Sequence, residues 1–271
     1  MSFEKKVATF FFAMLFLLPV YFYVQKKNAV QEIALPTPRA ELTITVIPGW
    51  DLRQVADYFV KMGFASTTED VFKITGRPAS TETKAFEYGN SFLVGLKKGL
   101  SLEGYLAPET YRVYEDAVLG DVIKKLVDQR EKEFNTTGAT VQNWHEILSM
   151  ASLIEDEART PEDRRLVSDI LWRRLKRGWA LQLDSTVHYA VDKTGTVFTT
   201  DRERDSASPW NTYKYPGLPP GPICNPSFDS IEAALNPKPN SYWYFLSGTD
   251  GKMYYATTLE EHTANRYKYL R

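Results

Sequence analysis

Apolar positions along this 271-residue chain change their spacing several times, and each change marks a different kind of element. From Val7 to Val24 they run without a charge, flanked by Lys5, Lys6, Lys26 and Lys27. At about 1.5 Å per residue such a helix spans roughly 27 Å, enough for a bilayer core. Leu42, Ile44 and Val46 then alternate with threonines, the period of a half-buried strand. From Asp51 the spacing becomes helical. Asp51 and Gln54 form a capping box, and Val55, Tyr58, Phe59 and Met62 share one face. A short helix is expected over Thr68–Thr75, stopped by Gly76, and a longer one over about Leu119–Phe134 with Val122, Ile123, Leu126 and Val127 inward. The next runs from about Val141 to Ala158. Another opens on Thr160 as N-cap with Pro161 and Asp163, buries Val167, Ile170, Leu171 and Leu175, and ends at Gly178. Towards the C-terminus "SYWYFLS" and "KMYYAT" flank a Gly-Thr-Asp-Gly turn, the pattern of a β-hairpin. Thr258 and Glu261 cap a last helix.

These elements predict an α+β chain in four parts. Residues 1–27 form a short tail and an uncleaved transmembrane anchor, since no small-x-small cleavage site follows the apolar run. Residues 28–40, with Pro36 and Pro38, read as a stalk. Residues 41–85, a strand and two helices, resemble the small glycan-binding LysM module, though an ordinary α+β subdomain has the same pattern. Residues 86–271 form a mixed α/β domain with a helical core and a C-terminal hairpin. Its opening stretch, "SLEGYLAPETYRVY" (Ser101–Tyr114), is dense in Gly, Pro and Tyr and has no helical period.

Composition narrows the chemistry. A formal net charge of -1 argues against a nucleic-acid binder. A single cysteine, Cys224, rules out an internal disulfide. His145, His188 and His262 lack metal-ligand spacing, and no Walker loop, dinucleotide fingerprint or Gly-x-Ser-x-Gly elbow occurs. No metal or cofactor is expected. Carboxylates remain.

One carboxylate stands out on the helical wheel. Trp144, Ile147, Leu148, Ala151, Ile154 and Ala158 form an apolar stripe, and Glu155 falls on it, while Asp156 and Glu157 point away. A carboxyl desolvated there keeps its proton to a higher pH, as a general acid requires. A buried glutamate paired with an arginine fits the wheel as well and, on the wheel alone, is the favoured reading.

Four motifs bear on the choice. "MASLIEDEA", which holds Glu155, resembles the "ASIVEKE" segment of the endolytic murein transglycosylases (the YceG-like family). "LQLDSTVHYAV" resembles that family's "LQ-D-PTV-YG". "SPWNTYKYPGLPPGPICNPSFDSIEAAL" resembles its "NTY…GLPPGPI-NPG-DSI-AAL", and "LEGYLAPETYRV" its "LEGYLFPDTY". The motifs keep the family's order over about Leu102–Leu270. The chain departs from the pattern at Ser185, where proline is usual, at Cys224, where a small residue is usual, and in a shorter N-terminal part.

The resemblance implies a lytic transglycosylase that cuts peptidoglycan glycan strands, leaving 1,6-anhydro-N-acetylmuramic acid ends, with Glu155 as acid and then base. It implies Glu103, Tyr105, Gln182, Asp184, Thr186, Asn211 and Tyr213 as candidate cleft residues, with the Gly217–Ile223 loop as a wall, although a structural role as turn residue, cap or hydrogen-bonded scaffold fits each of them at least as well. It also implies a single-pass bacterial cytoplasmic-membrane protein with its catalytic domain outside, working beside peptidoglycan synthases. Two other readings are consistent with the sequence: a non-catalytic, membrane-tethered glycan binder, and a muramidase that uses water and a second carboxylate.

Overall fold

The structure, a computed structural model, describes residues 39–83, 93, 96–140, 143–193 and 199–270, together with Pro19 and Tyr23. The rest of the apolar run Val7–Val24, the stalk up to residue 38 and the segment 84–92, where a second region is expected to begin, lie outside the described residues. No helix among the described residues is long and apolar enough to cross a membrane. Met1–Ala40 and Glu41–Arg271 separate as two units.

The second unit runs β1 (Glu41–Thr45), α1 (Leu52–Lys61), α2 (Thr68–Thr75), β2 (Thr110–Tyr114), α3 (Leu119–Thr137), α4 (Trp144–Glu157), α5 (Pro161–Lys176), α6 (Asp184–Val191), α7 (Asp201–Arg204), α8 (Phe228–Leu235), β3 (Tyr244–Ser247), β4 (Met253–Ala256) and α9 (Leu259–Tyr269). The expected caps are in place. Asp51 accepts from the N–H of Gln54 while the Gln54 side chain accepts from the N–H of Asp51, and Thr258 and Glu261 form the same reciprocal pair.

Among the described residues the strands form two separate antiparallel pairs, so the class is α+β. β3 and β4 make the expected hairpin. β1 finds its partner 65 positions along, in β2, with Thr45 opposite Thr110. β2 lies inside the stretch that lacks helical period: Tyr111 and Val113 point inward and Thr110, Arg112 and Tyr114 outward. Strand pairing therefore crosses the boundary expected near residue 85, and residues 41–271 form one compact unit.

α4 is the centre of that unit. Its buried residues are Trp144, His145 and every position from Ile147 to Ile154, so it is enclosed on nearly all sides rather than along one stripe. Its two buried serines are satisfied by the helix itself, Ser149 donating to the His145 carbonyl and Ser152 to that of Ser149.

The motif loops close over this helix. Ile223 N–H donates to Ser152 Oγ, His145 Nε2 lies 2.7 Å from the Pro220 carbonyl, and Trp210 Nε1–H donates to the Gly221 carbonyl. Asn225 ties the same loop to the N-terminal elements. Its Oδ1 accepts from Leu106 N–H, and its Nδ2 donates to the Trp50 carbonyl. Arg130, fully buried on α3, donates to Glu133 and to the Leu106 and Pro226 carbonyls.

The tightest contact between two motifs is at Gly104. Its φ is +81°, and a Cβ there would stand 2.6 Å from the Pro222 ring. Gly104→Ala adds a left-handed backbone cost to a steric clash and should destabilise by about 3 kcal/mol, lowering the melting temperature by roughly 6–12 °C. Gly138→Ala is the control. Its φ is +71° but nothing lies within 4 Å, so about 1 kcal/mol is expected from the backbone term alone. Equal melting temperatures for the two variants in calorimetry of the full chain would rule out the Pro222 contact.

Candidate active site

Glu155 and Glu157 sit two residues apart at the C-terminal end of α4, and the fold gives them different surroundings. Four donors converge on Glu155. Arg164 Nη2 of α5 reaches Oε1 at 2.8 Å. Oε2 accepts from Ser227 N–H at 2.9 Å, from Ser227 Oγ–H and from Ser230 Oγ–H at 2.8 Å. Ser227 is the N-cap of α8, so the carboxylate also occupies the positive end of that helix. Arg164 in turn donates to the Ala158 carbonyl and lies 3.7 Å from Asp229. The side chain is buried, as the wheel implies, but as the ionic anchor of three helices. That is the arginine-paired reading, with both oxygens engaged by protein donors.

Glu157 is the last residue of α4. Its one hydrogen-bond donor among the described residues is Ser185, whose Oγ–H reaches Oε1 at 2.8 Å. Desolvation pushes its carboxyl up to about 7; the Ser185 hydrogen bond pulls it down, the nearby charge of Asp184 pushes it further up, and Arg174 pulls it back. The wheel places Glu157 off the apolar stripe. It is half-buried, and the cover comes from α6, whose Ser185 bonds it. Asp156, between the two glutamates, is pushed up to about 8, by desolvation first and the charge of Glu157 second. It is an exposed residue, however, and solvent screens both effects. Of the two, Glu157 is the less exposed.

Asp184 opens α6, where a carboxylate faces the positive helix end. Its Oδ1 accepts from Tyr213 Oη–H at 2.7 Å and lies 3.3 Å from Arg204 Nη2, whose guanidinium also stacks over the Tyr213 ring at 5.1 Å. Of the seven expected cleft residues, Asp184 and Tyr213 thus meet each other, next to the Ser185 that bonds Glu157, and Gln182 stands two positions before Asp184, exposed, at φ 54°.

The other four are committed to the protein interior. Glu103 is fully buried, accepting from Leu52 N–H, Tyr189 Oη–H and Asn225 Nδ2, and burial pushes its carboxyl well up. Tyr105 Oη bonds His145 Nδ1 at 3.0 Å. Thr186 Oγ1 bonds the Leu183 carbonyl and Thr212 Oγ1. Asn211 donates to the Arg204 and Ser206 carbonyls and accepts from Tyr213 N–H, which fixes the loop carrying Tyr213. Each of the four is thus tied into the scaffold by the protein's own groups. Glu157, Ser185, Arg174 and Arg204 stand near Asp184 and are not among the residues expected at the site. The available signals were the second glutamate of "EDE" and the serine in place of a proline. Among the described residues no group of His, Cys, Asp and Glu side chains is arranged to hold a metal ion.

Comparison with known proteins gives this geometry its context. An endolytic murein transglycosylase of Bacillus subtilis (strain 168) is 41% identical over 175 residues, 62% of this chain and 48% of the relative. One from Streptococcus pneumoniae serotype 2 (strain D39 / NCTC 7466) is 34% identical over 173 residues, 60% of this chain and 31% of the relative. The chain thus spans about half the length of the first and under a third of the second where they match. The crystal structure of a yceG-like protein from Listeria monocytogenes, 33% identical, superimposes with a TM-score of 0.66 over 83% of this chain and 75% of that one. The profile of the YceG-like family matches residues 21–268, and with nearly the whole chain inside it, the protein belongs to that family.

Proposed function

We propose that the chain is a membrane-anchored lytic transglycosylase of peptidoglycan glycan strands, and that Glu157, in place of Glu155, is its acid and base. One arrangement carries this: a carboxyl at the end of the central helix that accepts a single hydrogen bond, from Ser185, next to an Asp184 held by Tyr213 and Arg204, with burial pushing the Glu157 carboxyl up to about 7. An acid poised there is half protonated near neutral pH and can donate to a leaving oxygen.

In the proposed reaction the Glu157 carboxyl gives its proton to the oxygen joining C1 of N-acetylmuramic acid to the next sugar, and the C1–O bond breaks. The resulting carboxylate takes the proton of the same sugar's C6 hydroxyl, whose oxygen closes on C1 to form the 1,6-anhydro ring. Glu157 ends protonated, and no water is consumed. The internal nucleophile profits from proximity. Asp184, held as an acceptor by Tyr213 and Arg204, supplies negative potential for the positive charge developing at C1. Ser185 donates to the Glu157 carboxylate and so steadies the form that must act as base.

The relatives named endolytic murein transglycosylases support the substrate and internal cleavage. The remaining parts of the reading rest on the sequence. The run Val7–Val24 anchors the chain in the cytoplasmic membrane with residues 41–271 outside; protease protection of that part in intact spheroplasts would argue against it. The β1–α1–α2 segment with its partner β2 serves as a LysM-like glycan contact, which deletion without loss of strand binding would exclude. Peptidoglycan synthases are the expected neighbours, and failure to crosslink with them in membranes would count against that.

The two glutamates separate cleanly by experiment. Glu157→Gln should reduce cleavage of glycan strands by about 10²–10⁴ while the chain melts no lower than the parent. Glu155→Gln breaks a buried ion pair and should cost about 3 kcal/mol, a melting shift of roughly 6–12 °C. The opposite assignment of these effects would sink the proposal. Products weighing one water less than reducing ends, seen by mass spectrometry, support the anhydro chemistry; reducing ends point to a water-using muramidase.

The pH dependence has a definite sign. Cleavage requires protonated Glu157, so kcat/KM should fall as pH rises through about 7. Ser185→Ala removes a hydrogen bond to the charged form, and the falling limb should move to higher pH. Stability depends on the same carboxyl: its raised value contributes fully below about 4.5 and is lost as pH climbs to about 7. A limb that stays in place in Ser185→Ala would detach Ser185 from the acid.

A further inference from the structure

The loop that follows α5 and the start of β3 enclose a recess of ≈ 240 Å³, lined by Arg174, Trp179, Ala180, Gln182 and Tyr244. This is below the roughly 300–1,000 Å³ typical of pockets for drug-sized molecules and suits a single ring. Trp179 is 41% exposed. Its ring is held from behind by Trp243, with centroids 5.0 Å apart, and Trp243 is itself covered by the guanidinium groups of Arg173 and Arg177, each 4.3 Å from its centroid. A partly exposed indole that lines the recess is thus braced in place.

Polar groups surround that face. Gln182 is held at φ 54°, a left-handed conformation that a non-glycine residue keeps only under constraint and that recurs at binding sites. The constraint is its N–H, which donates to the Thr212 carbonyl at 3.2 Å. Among the described residues its exposed amide has no protein partner. Arg174, buried beneath, uses three of its five N–H groups on the Leu181 and Trp243 carbonyls. Its guanidinium lies 5.6 Å from the Tyr244 ring and within the field of Glu157, so the recess and the acid share one cation.

We propose that this recess is a sugar subsite, in which one N-acetylhexosamine ring of the glycan strand stacks its C–H face on Trp179 and hydrogen-bonds its hydroxyl and acetamido groups to Gln182 and Arg174. A rigid aromatic face with a few convergent donors and acceptors is what a pyranose ring, apolar above and below and polar at its rim, requires. The assignment rests on the glycan-cleaving reading of Glu157.

Binding is measured on the full-length chain in detergent, carrying Glu157→Gln so that the ligand persists, with peptide-free strands of alternating N-acetylglucosamine and N-acetylmuramic acid as the probe. Adding Trp179→Ala should weaken binding about tenfold or more, and Trp179→Tyr should restore most of it, because a smaller aromatic face remains. Gln182→Gly, which fits the left-handed backbone, should also weaken binding and guards against a folding defect at Trp179. Affinities within twofold of the parent for both Trp179→Ala and Gln182→Gly, with unchanged melting temperatures, overturn the subsite. If Glu157→Gln still cleaves the strands, the acid assignment fails by its products alone, and the effect of Trp179→Ala on affinity still decides the subsite.

Discussion

The end of α4 depends on one ionic knot. Glu155 accepts four hydrogen bonds from two other helices: one from Arg164 of α5, two from Ser227 at the head of α8, and one from Ser230 within α8. A buried carboxylate needs this many partners, because desolvating a charge without them costs more than folding can offset. Once they are supplied, the register of α4 against α5 and α8 is fixed to within a hydrogen-bond length. Glu157, one short step further along the same backbone, inherits that precision without having to provide it.

The two glutamates share a helix terminus whose unpaired carbonyls disfavour negative charge. What separates them is who answers that charge. Glu155 receives a guanidinium and the positive end of α8. Glu157 receives a single hydroxyl, from Ser185, and has the anion Asp184 nearby. The head of α6, which could have neutralised it, already carries Asp184 in its first turn. One helix end thus holds a carboxyl bound by four donors and a carboxyl bound by one, and the difference is set by neighbouring helices rather than by α4 itself.

That explains which parts could be read from the sequence. Capping boxes at Asp51 and Thr258, the Thr160 cap and the C-terminal hairpin are decided by residues close in sequence, and they form where local chemistry places them. Helical spacing also identifies Glu155 as buried. It does not show that Glu157 is partly covered too, because a wheel describes one helix, and α4 is enclosed on nearly every side. Being off its apolar stripe says nothing about exposure when α6 and the motif loops cover the other faces. β2 escapes detection for a related reason. Its alternation, Tyr111 and Val113 inward, is five residues long and comes after a Gly- and Pro-rich turn, and its partner lies 65 positions earlier. Arg130 gives no signal at all: a fully buried arginine on a helix looks like any surface arginine until the Leu106 and Pro226 carbonyls arrive to meet it.

The departures from the family pattern gain meaning in the same way. A proline at position 185 would fix the first turn of α6 but offer Glu157 nothing, whereas serine donates a hydrogen bond to it. Changing that one residue alters the charge balance of the acid without moving the helices that hold it, because Asp184 keeps its own partners, Tyr213 and Arg204. The scaffold is set by Glu155, Arg130, Asn225 and the Gly104–Pro222 contact, none of which touches Ser185. Adjusting the acid is therefore separable from building the fold, and the working pH of the site can drift by substitutions at its rim while its geometry stays put.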